Sequence, residues 1–555
     1  MHLLRGLGVL DLSLNERDLQ HFTPEQLQAA FFSAYATSPE RVSAIDAMLR
    51  SPAGPLLRER IGRWVIERLP AEDLVPDKYA HWRPLVQDAM LFMFLHLSIE
   101  RLAPKLVEQM ELPSNTPTGA RLLKLIAKVP GLQKLGQVLA RNRHLHPRLR
   151  HALTELENGI SDMNAEEVRA IIAEELGPRL EAHAVKVKPD IFFEASVSAV
   201  VRFTWRNPDT GQRERGVFKV MKPYIPTCFA EDMDLLAQLA KYVGCKHREY
   251  GFAKRVLPET FSDVRRLLQH EVDFPREQAT LPEACRLYGS MPGVRVPRLI
   301  PPLCTSKITA MTEERGKKVT DAVAGMPEWR RARVSELLIE AFIAVPIFSS
   351  EKNAMFHADP HAGNLLYDKR TGELVILDWA LTERVSREER RHLAMLFLLT
   401  ALRDPDGIFN QIQTLSRGGA RRKGSEAKII RDCVESFIAH LPLTRIPGTT
   451  DAFDLLENIA LKGVRLPAPL IMLRKVLFTL DGVQHDIRGP EVSTVSIIAR
   501  QATQRWLTSW EAFGSPLSLR DWLAVQSSTL FYGSRVCWQG AQALLDRSRS
   551  ALSSA

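Results

Sequence analysis

The chain has 555 residues, more than a single hydrophobic core serves, so two or more packed units are expected. Its apolar fraction of 45% and charged fraction of 25% are those of an ordinary globular protein and exclude a fibrous or disordered chain. A net charge of +9 is modest at this length; it suits attraction to anionic lipid or nucleotide, with a solvated surface as the simpler explanation, and no nucleic-acid partner is expected.

None of the six cysteines forms a C-x-x-C pair, so they read as buried, reduced thiols rather than a disulfide frame or a zinc site. The N-terminal apolar patch turns acidic within a few residues and has no small-residue cleavage site, so no signal peptide is expected. No stretch reaches the roughly 18 uninterrupted apolar residues of a membrane span. The expectation is a cytoplasmic protein, with peripheral attachment to the inner membrane as an option.

Residues 1–120 alternate helical patterns with proline breaks and carry no recognisable chemistry. Residues 121–180 are again helical in pattern. From about residue 189 the character changes: KPDIFFEASVSAVVRFTW is rich in Val, Phe and Thr and reads as strands, NPDTG (207–211) as a turn, and RGVFKVMKP as a returning strand that carries Lys219. Helices follow, then short strands at VRVPRLI and KITAMTEE. Segment 334–348 places Val334, Leu337, Leu338, Ala341, Phe342 and Val345 on one helical stripe. It leads into FHADPHAGNLLYDKRTGELVILDWA (356–380), and beyond about residue 385 the pattern is helical.

That stretch is the densest in chemistry. Phosphoryl transfer needs Mg²⁺ on the phosphates, a carboxylate near the acceptor hydroxyl and a lysine on the phosphates. Asp359, four intervening residues and Asn364 have the catalytic-loop spacing of kinases. Asp359 would orient or deprotonate the acceptor, and Asn364 would ligate a metal through its side-chain oxygen. Asp378 follows the apolar run LVIL and stands where kinases carry the metal-binding aspartate of D-F-G. Thr371 and Gly372 turn the two strands between them. A lone Asp-x₄-Asn is most often a cap or turn; the ordered set is far more specific. His357 reads as a structural histidine, and His361 finds no third nitrogen or thiolate for a transition-metal site. Lys219 lies mid-strand among apolar neighbours, as in V-A-I-K, and calls for a carboxylate partner, with Glu271, Asp273 and Glu277 as candidates.

With these residues in place the chain resembles the UbiB (AarF, ABC1-type) family of atypical kinases. KLGQ (134–137) is similar to the family's K-x-G-Q motif, with Lys134, Gly136 and Gln137 matching. EASVS (194–198) is similar to the alanine-rich loop that replaces the glycine-rich loop, with Ala195 and Ser196 matching. EVD (271–273) resembles the E-x-D motif, and Glu277 falls where the family places the lysine-pairing glutamate. The resemblance covers roughly residues 121–400, with a weaker echo in LPAPLIMLRKVLFTLDGV (466–483).

The resemblance implies an α+β, protein-kinase-like bilobal fold: a small β-rich N-lobe and a helical C-lobe, with added N- and C-terminal helical segments. The expected divisions are 1–120, a K-x-G-Q extension at 121–188, an N-lobe at 189–315, a C-lobe at 316–440 and a helical region at 441–555. It implies ATP and Mg²⁺ as cofactors. ATP would lie against Ala195, Ser196, Lys219 and Glu313, the metal on Asn364 and Asp378, and catalysis would fall to Asp359, Lys219 and Glu277. Lys134, Gly136, Gln137, Glu271 and Asp273 would form a regulatory lid, with Lys134 paired to Glu271. The implied output is slow ATP hydrolysis or phosphorylation of a small molecule, tied to isoprenoid-quinone synthesis, with a quinone or lipid precursor and quinone-biosynthesis proteins as partners.

Three residues depart from the pattern. Glu194 sets a carboxylate where the nucleotide phosphates are expected, Ala199 replaces a glutamine, and Ala380 replaces the glycine of D-F-G. Two further readings stand: a small-molecule phosphotransferase similar to the aminoglycoside or choline kinases, which Trp379 suits, and a nucleotide-gated, non-catalytic scaffold of a membrane biosynthetic complex. LPAPLIMLRKVLFTL and the Trp-bearing tail supply candidate interfacial helices.

Overall fold

The computed structural model describes residues 24–75, 83–127 (except 114), 163–250 (except 196), 268–416, 424–487 (except 443–445 and 465), 496–498, 500–501 and 517–533, with a few isolated positions between them. The architecture is α+β. The strands are β1 Lys186–Glu194, β2 Ser198–Arg206, β3 Arg213–Met221, β4 Val294–Arg295, β5 Ile308–Thr312, β6 Lys317–Lys318, β7 Asn353–His357, β8 Leu365–Asp368, β9 Glu373–Ile376 and β10 Thr382–Ser386. The chain divides into two compact units, Met1–Phe274 with Pro301–Ala310, and Pro275–Ile300 with Met311–Ala555.

In the first unit the sheet runs in the order β1-β2-β3-β5. The β2–β3 hairpin is in continuous antiparallel register from Ser198↔Met221 to Arg206↔Arg213. Its turn forms as NPDTG requires: Asn207 Oδ1 accepts from Asp209 N, and Gly211 takes φ +65°, a region open to glycine at no steric cost. Phe203 and Phe218 stack on the buried face with ring centroids 3.9 Å apart.

The helices of the N-terminal region share a core with the long helix Ile225–Cys245. Helix Ser38–Arg50 begins with a capping box, in which Thr37 accepts from Glu40 N while the Glu40 side chain accepts from the Thr37 backbone. Ile45, Leu49, Trp64, Leu106 and Val107 then pack with Leu235, Leu239 and Val243. Arg101 ties the two groups, 2.9 Å from Glu231 Oε2 and 2.8 Å from Asp232 Oδ1. The described part of 1–120, silent as chemistry, therefore helps support the helix that follows β3.

The second unit holds a four-stranded sheet, β4-β9-β8-β6, and the pair β10-β7. Its described helices include Glu328–Ile339, Arg387–Ala401 and Ala468–Ile487. The stripe expected over 334–348 is altered: the helix ends at Ile339, Glu340–Ala344 form a π-turn, and α-helix resumes at Val345–Ile347. The extra residue shifts the helical phase, so Val345 is only half-buried while Pro346 and Ile347 are inside. The Tyr288 hydroxyl donates to Ala341 O at 2.8 Å, satisfying a carbonyl in the widened turn. Burial raises the Tyr288 phenol well above its ordinary value, so it stays a donor.

The cysteines differ from expectation. Among those described, Cys433 is buried but Cys245 is exposed on the last turn of its helix. No described helix is long and apolar enough to cross a membrane.

Candidate active site

The stretch 356–380 lies in the second unit. β7 pairs with β10, Thr382 opposite His357, and the chain leaves β7 with Ala358 N donating to Leu381 O. His357 is fully enclosed. Its Nδ1 accepts from Asp359 N at 3.2 Å and its Nε2 donates to Leu377 O at 3.1 Å, which defines the neutral, Nε2-protonated imidazole. Burial pushes this imidazole below the ordinary histidine range, against the pull of Leu377 O and the Asp359 and Asp378 carboxylates. The histidine therefore joins the Asp359 backbone to the segment carrying Asp378, with both ring nitrogens committed to backbone rather than to a metal.

Asn364 reaches Asp378 through strand register. β8 and β9 pair with Leu365 opposite Ile376, turned by Gly372 at φ +76°. One step beyond that pair, Leu377 N donates to Asn364 O at 2.8 Å, and Asp378 follows directly. Asn364 Nδ2 donates to Asp359 O at 3.1 Å. His361 caps the short turn, its Nδ1 accepting from Gly363 N at 3.1 Å. Asp359, Asn364 and Asp378 are thus brought together by one strand pair, one hairpin and a buried histidine.

Asp378 has φ +56°, a left-handed conformation uncommon outside glycine. The unusual backbone falls on the aspartate itself, and Ala380, two residues on, is simply buried. Trp379 fills the core: its ring lies edge-on to His357 at 5.0 Å, its Nε1 donates to Ile376 O, and its carbonyl accepts from Thr280 Oγ1 at 2.8 Å.

Glu277 lies in the first turn of helix Phe274–Tyr288 and is buried. Arg276 beside it donates to Thr382 O at 3.0 Å. Glu313 lines a polar cleft of about 420 Å³ with Arg295, Glu314, Arg315 and Asp368. Burial raises the Glu314 carboxyl, opposed by the Thr312 hydroxyl and Arg295.

In the first unit Lys219 sits on β3 opposite Val200, half-buried, its ammonium 5.6 Å from the Phe274 ring centroid. Ala195 follows β1, its N–H donating to Ser198 O at 2.8 Å. Glu194 corrects an expectation: its carboxylate is not offered to phosphates but buried against Lys222 Nζ at 2.8 Å, and it also accepts from Met163 N. A buried carboxylate needs such a partner, and Lys222 supplies it. Glu271 ends one helix and Asp273 stands exposed in the break before the next. Lys134, Gly136, Gln137 and Ser196 lie outside the described residues.

Sequence reasoning missed Lys475. Its Nζ is 3.6 Å from Asp359 Oδ1, delivered by helix Ala468–Ile487. The only signal in sequence was the faint echo in 466–483, which named no residue. Arg390 was missed as well. Fully buried, it gives its guanidinium to the carbonyls of Ile347, Ser349 and Glu351 ahead of β7. Burial pushes it down to about 10, still charged at neutral pH.

Residues 155–412 match the ABC1 atypical kinase-like domain. Among the relatives, the chain is 24% identical to a "Probable protein kinase UbiB" of Actinobacillus pleuropneumoniae serotype 7 over 73% of this chain and 74% of that one. It is 27% identical to the protein of the same description from Haemophilus ducreyi, with 73% and 74% covered. It is 24% identical to "Protein ACTIVITY OF BC1 COMPLEX KINASE 7, chloroplastic" of Arabidopsis thaliana over 68% of this chain and 52% of that one. Residues 155–412 thus carry a kinase-like ABC1 domain, and over most of its length the chain is similar to proteins described as protein kinase UbiB.

Proposed function

We propose that the chain is an Mg-ATP-dependent phosphotransferase or ATPase. The observation that carries this reading is the convergence of Asp359, Asn364 and Asp378 through the His357 and Leu377 bonds. The donors fit the cofactor: an amide oxygen and a carboxylate are hard oxygen ligands of the kind magnesium takes. Asn364 and Asp378 would hold it, and when bound with ATP it neutralises charge on the phosphates. Asp359 orients the acceptor hydroxyl and takes its proton. The loop does the orienting, since the Asp359 N–H and C=O are both tied, one to His357 and the other to Asn364.

Lys219 takes the phosphate-gripping role in this reading; Ala195 and Ser196 of the first unit, and Glu277 and Glu313 of the second, are the remaining candidates for the nucleotide site. Residues 121–188 form the lid segment, with Lys134, Gly136 and Gln137 acting with Glu271 and Asp273. The acceptor is a small molecule or water. The setting is isoprenoid-quinone or related lipid metabolism at a membrane surface, which fits the exposed Ile471, Phe478, Leu523 and Leu530.

The test is thermal unfolding with and without Mg-ATP, on the wild type and on Asp378→Asn. A ligand of the folded state adds about 2.7 kcal/mol at a hundredfold excess over Kd. The expected result is a magnesium-dependent upward shift that Asp378→Asn loses. A wild type unmoved by millimolar Mg-ATP overturns the reading.

A further inference from the structure

We propose that Lys475 is a positioning residue for Asp359, so that the helix beyond the matched kinase-like domain completes the catalytic loop. The inference rests on the kinase reading of that loop. The matched domain ends at residue 412, and Lys475 arrives from helix Ala468–Ile487.

That helix is firmly seated. Leu470, Leu473, Val476, Leu477 and Leu480 are buried along it, and Gln484 Nε2 donates to Ser335 O at 3.5 Å. The neighbouring cation is committed elsewhere: Arg474 pairs with Glu457 and covers the Phe478 ring. Lys475 instead places its ammonium 3.6 Å from Asp359 Oδ1. The Asp359 side chain is only 6% exposed and that of Lys475 26%, so the attraction is screened less than at an open surface.

At that distance the contact is coulombic rather than a short hydrogen bond. It holds the carboxylate in one orientation without capping it. On the other side His361 Nε2 stands 3.9 Å from Asp359 Oδ2, farther than the lysine. The loop bonds described above fix the Asp359 backbone; Lys475 fixes the side chain. A group misplaced by an ångström loses rate steeply while ground-state binding is little changed.

The experiment compares Lys475→Met, Lys475→Arg and Arg474→Met as full-length chains, reading Mg-dependent ADP release and the Mg-ATP melting shift. Lys475→Met is expected to lower kcat by about 10–100-fold with KM for ATP and the melting shift held within about twofold. Lys475→Arg, which keeps the charge on a long arm, restores most of kcat. Arg474→Met costs stability but not kcat. Should Lys475→Met fail to fold, an Arg variant at wild-type kcat beside a Lys475→Gln variant with lowered kcat carries the same conclusion.

Unchanged kcat in folded Lys475→Met or Lys475→Gln overturns this proposal alone. Equal loss of kcat and of the melting shift also overturns it, because the lysine then serves binding or folding. A wild type that binds Mg-ATP but releases no ADP removes the catalytic role of Asp359 and this proposal with it. A wild type with no Mg-ATP shift removes the kinase reading itself.

Discussion

Lys222 Nζ lies 2.8 Å from Glu194 Oε1, with the lysine side chain fully enclosed and the glutamate nearly so. The pair joins the end of β1 to the residue just past β3, and Lys222 N also donates to Val197 O across the same loop. It staples the alanine-bearing loop at its base.

Breaking the pair from one side is expected to be costly. Lys222→Met leaves a buried carboxylate without its lysine, worth roughly 3–5 kcal/mol, whereas Lys222→Met with Glu194→Leu recovers most of that loss. Hydrogen exchange across 186–206 reads this locally in a chain of two units, where a single global transition does not apply. Equal protection in the single and double variants would refute the staple.

Thr280 tests the support under Asp378. Thr280→Val removes the donor to Trp379 O and leaves a buried carbonyl unpaired, at about 1–3 kcal/mol, while Thr280→Ser keeps the bond. The expected outcome is a lower melting temperature and weaker Mg-ATP stabilisation for Val only. Identical melts for Val and Ser would show that the bond adds nothing.

The backbone at Asp378 predicts an inverted order of stabilities. At φ +56° an alanine carries strain of about 1 kcal/mol that glycine and, in part, asparagine avoid. Without nucleotide, Asp378→Gly should melt above Asp378→Ala. The reverse order would mean that the loop relaxes out of the left-handed region.

His357 gives a pH dependence with a defined sign. Its folded-state pKa lies below the ordinary value of 6.5, so on acidification the unfolded chain takes up a proton before the folded one. Stability is therefore complete above about pH 6.5 and falls as pH drops below it, down to the folded-state value. A melt series from pH 8 to 5 should show a steeper decline for the wild type than for His357→Gln. Parallel curves would count against a neutral buried imidazole.

Arg390 gathers the backbone carbonyls of Pro346, Ile347, Ser349 and Glu351 from one position. Arg390→Lys carries its donors on a single nitrogen and cannot span carbonyls that Nη1 and Nη2 reach separately at Ile347, Ser349 and Glu351, and a loss of about 2–4 kcal/mol is expected. Limited proteolysis at 349–352 should accelerate; an unchanged cleavage rate would argue that the loop holds by itself.

Much of this was legible in sequence because it is local. NPDTG and alternating β-formers specify the β2–β3 hairpin, and TG between two apolar runs specifies the hairpin that brings Asn364 beside Leu377. The spacing of Asp359 and Asn364 is likewise a short-range signal. Lys475 was not legible, because no local pattern says that a lysine on a distant helix faces a given aspartate. Lys222 was overlooked because Lys219, three residues before it, fitted an expected role, and burial of an ion pair leaves no trace in spacing. The π-turn at 340–344 escaped because a stripe argument assumes 3.6 residues per turn throughout, and here all five residues are buried.

That π-turn makes the segment before β7 sensitive to count rather than to composition. Each residue of an α-helix advances the chain by about 100°. Deleting any one of Glu340–Ala344 would let the helix close into ordinary turns, and Val345–Ile347 would emerge rotated by that angle. The carbonyls that Arg390 collects would then point elsewhere, and the strand ending at His357 would start from the wrong azimuth. Conservative replacements of like size should pass through this segment, whereas a one-codon deletion should not.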